Sequence, residues 1–192
     1  RLARAAGKSV VAIKLGLSEA GRNAALAHTG SLAGTVEAFD AVAGEAGVIR
    51  AETLDDAVEI TELLVHTGAP TGRRLGAVTL SGAFRGMLLD AAERCGLEFR
   101  PLAPETTNRL SAVLTVGSLV SNPIDGGFGV LSSADNFMAS VDALHNDPNV
   151  DVVIIQEGPP RASGSDRSEH YIRLANDYAT RATKPIAFMS PI

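Results

Sequence analysis

The amino-acid sequence predicts an α/β fold in two units, each a parallel sheet flanked by helices. Three observations carry this. Short apolar runs alternate with amphipathic helical segments along the chain, which is the pattern of parallel sheets covered on both faces. The run Thr67-Gly68-Ala69-Pro70-Thr71-Gly72-Arg73 interrupts that pattern, and a second unit starts afresh behind it, so the expected domains are 1–70 and 71–192. Hydrophobic residues make up 45% of the 192 residues, yet only 4% are aromatic and Trp is absent. The core is therefore expected from Ala, Val, Ile and Leu, which suit close helix-on-sheet packing.

In the first unit, residues 1–6 read as the tail of a helix. Residues 9–14 form a short apolar run and read as a buried strand. A Gly/Ala-rich loop follows and carries His28. Residues 35–46 have helical spacing, with Val36, Phe39, Ala43 and Ala46 on one face, and Gly47 ends the helix. Residues 48–50 are a short strand. Thr53 caps a helix with Asp55 and Asp56 in its first turn. Leu54, Ala57, Val58, Thr61, Leu64 and Val65 are expected on its inner face.

In the second unit, residues 75–80 are a strand, 81–86 a turn and 87–95 a helix. Residues 97–102 are extended, and 104–114 are helical, opened by Pro104 with Glu105 in the first turn. Residues 122–127 are a turn cluster. Ser133 caps a helix that turns Phe137, Met138, Val141 and Leu144 inward. Residues 150–155 are the clearest strand, 157–165 a loop, 165–180 a helix and 185–189 a last strand.

The net charge of −5 and pI near 5.4 leave no electrostatic footprint for nucleic acid. Charges are interspersed, without a basic run for a membrane surface. No stretch approaches the ~20 apolar residues of a membrane helix. The single cysteine, Cys95, excludes an internal disulfide. It is expected as a small buried hydrophobe, compatible with a reducing, cytoplasmic setting. Both ends look cut, so a piece of a longer protein is expected.

His28 stands among small residues, Ala24-Ala25-Leu26-Ala27-His28-Thr29-Gly30. Imidazole is nucleophilic near neutral pH. A histidine on a movable small-residue loop, with Thr29 and Gly30 as its flexible neighbours, is a candidate phosphoryl carrier. The alternative is a loop histidine without chemistry. A second candidate is the strand followed by Ser81-Gly82-Ala83-Phe84-Arg85-Gly86 and a helix. Unpaired N–H groups at a helix start and small residues admit an anion. Ser81 offers a hydroxyl and Arg85 a cation. The alternative is a plain strand-to-helix turn. The Gly-Lys-Ser/Thr ending of a Walker loop and the G-x-G start of a dinucleotide fingerprint are both absent. Asp125 reads as a turn residue or a site residue. Glu157, after the strand at 150–155, is a substrate-pocket candidate. His66, His145 and His170 are expected solvated. No pair has metal-ligand spacing.

Lys14-Leu15-Gly16-Leu17-Ser18-Glu19-Ala20-Gly21, Ala27-His28-Thr29-Gly30-Ser31-Leu32-Ala33-Gly34 and Ala46-Gly47-Val48-Ile49-Arg50 resemble the ADP-forming (NDP-forming) acyl-CoA synthetase family, which is related to succinyl-CoA synthetase. In that family the histidine of H-T-G is phosphorylated, and His28 matches it. Leu80 through Gly86, Asn122-Pro123-Ile124-Asp125 and Asp147-Pro148-Asn149-Val150-Asp151 resemble the family's next domain. That domain corresponds to the carboxy-terminal part of the succinyl-CoA synthetase beta subunit. There, helix N-termini point at one phosphate, and by match Ser81, Gly82, Ala83, Arg85 and Gly86 supply one of them. The family more often has Gly-Gly where this chain has Gly82-Ala83.

The resemblance implies two flavodoxin-like, succinyl-CoA-synthetase-like units. It implies interconversion of a carboxylic acid, CoA and ATP with acyl-CoA, ADP and phosphate through a phosphohistidine. CoA, ATP/ADP and Mg would serve the full-length protein. The CoA-binding and ATP-grasp domains would lie in the same protein or a partner subunit, and an oligomer is expected. The carboxylate that steadies the histidine would fall before Arg1, with Glu19 as a local substitute. Val78 through Gly82, Arg85-Gly86 and Gln156-Glu157 are similar to the subgroup acting on aromatic or branched acids such as ferulate. One competing reading is a regulatory synthetase-like module of a protein acetyltransferase, in which the histidine tends to be lost. Another is a flavin-binding module, disfavoured by two Tyr and no Trp.

Overall fold

The computed structural model describes residues 2–30, 34–68, 70, 72–114, 117–158 and 166–190. Ser31, Leu32 and Ala33 of the histidine segment, Ala69 and Thr71 of the linker and residues 159–165 of the expected loop lie outside them. The chain divides into two compact units, Arg1–Ala69 and Pro70–Ile192.

The first unit runs α1 (Leu2–Ala5), β1 (Val10–Ile13), α2 (Glu19–Thr29), α3 (Val36–Ala46), β2 (Val48–Ala51) and α4 (Leu54–Thr67). β1 and β2 pair in parallel, Val10 beside Val48 and Ile13 beside Ala51. Side-chain oxygens set the helix starts. Ser18 accepts from the Gly21 N–H, Thr35 from Ala38, and Thr53 forms a reciprocal capping box with Asp56. Each cap satisfies a backbone donor that the helix itself leaves open, at roughly 1 kcal/mol. α3 turns Val36, Phe39, Ala43 and Ala46 inward as its spacing predicts. α4 corrects the expected inner face. Ala57, Ile60 and Leu64 are half-buried, while Leu54, Val58, Thr61 and Val65 are exposed. Ala43 and Ala51 are the only buried hydrophobics among the described residues of this unit.

The second unit runs β3 (Leu75–Thr79), α5 (Gly82–Arg94), α6 (Pro104–Val113), β4 (Ile124–Asp125), α7 (Gly127–Leu131), α8 (Ala134–Asn146), β5 (Val152–Gln156), α9 (Asp166–Ala179) and β6 (Ile186–Met189). Its strands form one parallel sheet in the order β4-β3-β5-β6. The core gathers Val78, Leu110, Ile124, Phe137, Val141, Leu144, Val153, Ile155, Tyr171 and Ala175. Phe137 and Tyr171 stack with ring centroids 4.3 Å apart, and the Tyr171 hydroxyl donates to the Val130 carbonyl at 2.6 Å. This aromatic pair adds bulk to a mainly aliphatic core. Gly76 lets β3 lie against Val150, since a Cβ there would come within 2.9 Å of both Val150 methyls.

Four expectations in this unit are corrected. α5 begins at Gly82, so Ser81–Gly86 is a cap and a first helical turn rather than a turn before a helix. Cys95 is the exposed C-cap of α5, not a core residue. The turn cluster at 122–127 contains β4 and leads into α7, a short helix that the spacing did not reveal. His145 is 8% exposed, not solvated. Its Nε2 accepts from the backbone N–H groups of Thr183 (3.0 Å) and Lys184 (3.2 Å). His66 and His170 are exposed as expected.

Polar staples close the sheet's amino end. Arg74 pairs with Asp151 through Nε at 2.9 Å and also through Nη2, and Asp151 accepts from the Arg74 N–H as well. Asp147, fully buried, accepts from the Ala103 N–H at 2.8 Å and the Asn149 N–H at 2.7 Å.

Two pH limbs follow. Burial, with the nearby Lys184 charge, holds His145 below its ordinary 6.5. Its stabilisation is complete above that value and is lost as pH falls through the lower, folded one. The urea midpoint should therefore drop between about pH 7 and pH 5. His145→Gln should flatten that limb, and His145→Ala should cost about 1–3 kcal/mol through two orphaned N–H groups. The Arg74 guanidinium holds Asp151 down to about 2, against its ordinary 3.8. Its contribution is present above pH ~4 and lost towards pH ~2, and Asp151→Asn should remove that limb from the same titration.

Candidate functional site

His28 lies in the last turn of α2, exposed, not on a loop. Thr29 is the final residue of that helix, which corrects its place in a flexible loop. Gly30 is the C-cap, left-handed at φ 68°, and its N–H donates to the Leu26 carbonyl. The chain therefore turns sharply one residue after Thr29, and Gly at this point permits the turn. The small side chains Ala24, Ala25 and Ala27 keep the helix surface beside the ring low. Glu19 opens the same helix. It precedes His28 by nine residues, roughly 13 Å along the axis at 1.5 Å each, so it does not reach the ring.

The start of α5 is built by three neighbouring segments. Ser81 is the N-cap, its Oγ accepting from the Ala83 N–H at 3.3 Å. The N–H groups of Gly82 and Phe84 find no acceptor among the described residues, as expected for a first helical turn. Asp125 stands beside them. A Cβ on Gly82 would meet its Oδ2 at 3.1 Å, while its Oδ1 accepts from the Gly127 N–H at 3.2 Å. Arg85 does not face the helix start freely. Its Nε donates to the Ser121 hydroxyl at 3.3 Å and the Pro123 carbonyl at 3.2 Å. Gly86 has open space where a Cβ would stand.

The Asn122-Pro123-Ile124-Asp125 run accounts for itself letter by letter. The Asn122 amide donates to the carbonyls of Leu75 (2.7 Å) and Arg100 (2.9 Å) and accepts from the Ala77 N–H at 3.3 Å. The Asn122–Pro123 peptide is cis. Ile124 is fully buried, and Asp125 arrives at the start of α5. The sequence left Asp125 open between turn and site, and the fold places it in the turn and beside Gly82 at the start of α5.

Glu157 follows β5 and is 3% exposed. Its Oε1 accepts from the Gly158 N–H (2.8 Å), Arg167 Nη2 (3.0 Å) and the Ser168 hydroxyl (3.1 Å). Arg167 and Ser168, both on α9, were not singled out in the sequence, because only the folded chain brings them to Glu157. No group of three or more metal-ligating side chains occurs among the described residues. No described helix is long and apolar enough to cross a membrane.

Comparison with known proteins fits this architecture. Residues 1–64 match the family described as "Succinyl-CoA ligase like flavodoxin domain". The alpha subunit of the ADP-forming acetate–CoA ligase II of Pyrococcus furiosus is 32% identical over 165 residues, 85% of this chain and 35% of that subunit. A trans-feruloyl-CoA synthase from an unknown prokaryotic organism is 33% identical over 190 residues, 98% of this chain and 26% of that enzyme. The dinucleotide-forming acetyl-coenzyme A synthetase 1 of Ca. Korarchaeum cryptofilum, solved with phosphate and ADP, superposes with a TM-score of 0.77 at 25% identity. That match covers 94% of this chain and 38% of that one. The chain thus spans about a third or less of the curated relatives' length. It matches them across both of its units, and it belongs to the ADP-forming acyl-CoA synthetase family.

Proposed function

We propose that this chain carries the phosphoryl-relay part of an ADP-forming acid–CoA ligase, with His28 as the phosphorylated residue. The observation behind this is the similarity to ADP-forming acetate–CoA ligases, which spans both units and includes the segment that holds His28. In the ligase direction an imidazole nitrogen of His28 attacks the γ-phosphorus of ATP and ADP leaves. A carboxylate oxygen of the acid then takes the phosphoryl group, giving an acyl phosphate and restoring the imidazole. The CoA thiolate attacks the acyl carbon and inorganic phosphate leaves, giving acyl-CoA. CoA, ATP and the acid are substrates of the full-length enzyme. Mg would accompany the nucleotide in an ATP-grasp domain.

The chain's own contribution is positional. His28 sits at the carbonyl end of α2, where the partial charge is negative and disfavours an anion. The phosphoryl oxygens therefore need N–H donors from another element. Taken by itself, the first turn of α5, whose Gly82 and Phe84 N–H groups have no acceptor among the described residues, is the kind of helix start that holds an anion. Ser81 caps that turn, and Arg85 ties its Nε to Ser121 and Pro123, which leaves its terminal guanidinium nitrogens for an anion. The Asp125 carboxylate limits the space beside Gly82, and Ala83, exposed in the same turn, adds one methyl group where the family more often has a second glycine.

Incubation of the full-length protein with γ-labelled ATP should place acid-labile, base-stable label on the wild type and none on His28→Ala. No label on either, with nucleotide still bound, would remove the relay reading. Gly82→Val, which crowds Asp125 at the start of α5, should slow passage of the label to ADP by roughly tenfold to a hundredfold. Its thermal unfolding serves as the folding control.

A further inference from the structure

The carboxyl end of β5 holds a buried carboxylate of which only one oxygen is used. Three donors converge on Glu157 Oε1, from Gly158, Arg167 and Ser168. Oε2 is buried and has no hydrogen-bond partner among the described residues. A half-turn of the carboxylate only exchanges the two oxygens. The donors are themselves held in place. Arg167 lies 5.8 Å from the centroid of the Tyr171 ring, and the Tyr171 hydroxyl is anchored on Val130. Next to it, the buried Gln156 side chain accepts from the Leu80 N–H at 3.1 Å, tying the ends of β5 and β3 together. Buried polar atoms are nearly always satisfied, and one that is not asks for an explanation. This one stands at the carboxyl end of a parallel sheet, where open α/β sheets take their ligands.

We propose that Glu157 Oε2 is the acceptor for an O–H or N–H donor on a small-molecule ligand of this edge. The donor is either a hydroxyl of the acid substrate or an amide N–H of the CoA arm, so the assignment rests on the ligase reading for its ligands. A carboxylate oxygen only accepts, so a methyl, an ether or a tertiary amide in the same place leaves it unsatisfied. Selectivity against a ligand lacking the donor follows from the unpaired buried group rather than from shape.

Calorimetry on the full-length protein reads this directly, with matched probes. These are 4-hydroxybutyrate against butyrate, 3-(4-hydroxyphenyl)propanoate against 3-phenylpropanoate, and pantetheine against its analogue methylated at both amide nitrogens. At least about a tenfold preference for the donor-bearing member of one pair is expected. Preference within an acid pair identifies the hydroxyl as the source, and preference within the pantetheine pair identifies the CoA arm. Glu157→Gln keeps an oxygen for the three existing donors and puts an NH2 where Oε2 stood, so it should abolish or invert that preference. The wild-type comparison needs no variant and holds even if the glutamine protein does not fold. Equal affinities within every pair overturn the proposal. Histidine labelling on the same preparation separates the two readings. Label without preference overturns this inference alone, whereas preference without label overturns only the relay.

Discussion

β3 is the element on which the second unit depends. It is buried at all five positions and paired on both sides, to β4 and to β5. Its carboxyl end distributes three separate constraints. The Thr79 carbonyl accepts from Gly126 at 2.8 Å, which fixes the turn carrying Asp125. The Thr79 hydroxyl donates to the Ile124 carbonyl at 2.9 Å, which holds β4. The Leu80 N–H donates to Gln156, which binds the end of β5. Ser81 follows at once and caps α5. The helix start, Asp125 and Glu157 are thus positioned from Thr79, the last residue of β3, and Leu80 directly after it. Hydrogen bonds of this kind gain strength inside a core sealed from water.

How far the letters revealed this differs by feature. Caps were legible because they are local. Thr53 and Ser133 each accept from a backbone N–H three residues ahead, and no distant residue decides the matter. The α3 stripe and the inward residues of α8 were legible because a single helical period was enough. α4 misled because Leu54, Val58 and Val65 form an apolar stripe, and periodicity detects stripes without saying what covers them. β4 escaped because two residues, Ile124 and Asp125, cannot display a period. Their strand character comes from Val78 and Thr79 beside them.

The candidate residues divide in the same way. His28 and the run from Ser81 to Gly86 were marked by composition, small residues around one reactive or donor-rich point. That His28 rides at the end of a helix could not be read, because the alanines around it suit helix and loop alike. Arg85 was read as a cation for an anion, and the fold spends its Nε on Ser121 and Pro123. Both partners lie more than thirty residues away, so no local rule anticipates them. His145 and Glu157 carry the same lesson for charge. A polar letter on a helix face or a strand end says nothing of burial until its partners, Lys184 in one case and Arg167 in the other, are in place.

Asn122 shows what such convergence means for mutational tolerance. Its one amide contacts Leu75, Ala77 and Arg100, and the three residues after it deliver Asp125 to the helix start. The side chain is polar and touches no reacting group. Yet aspartate would lose both donated bonds, and leucine all three. A saturation scan of this chain should therefore find Asn122 as intolerant as the apolar core, at a distance from anything a search for reactive side chains would select.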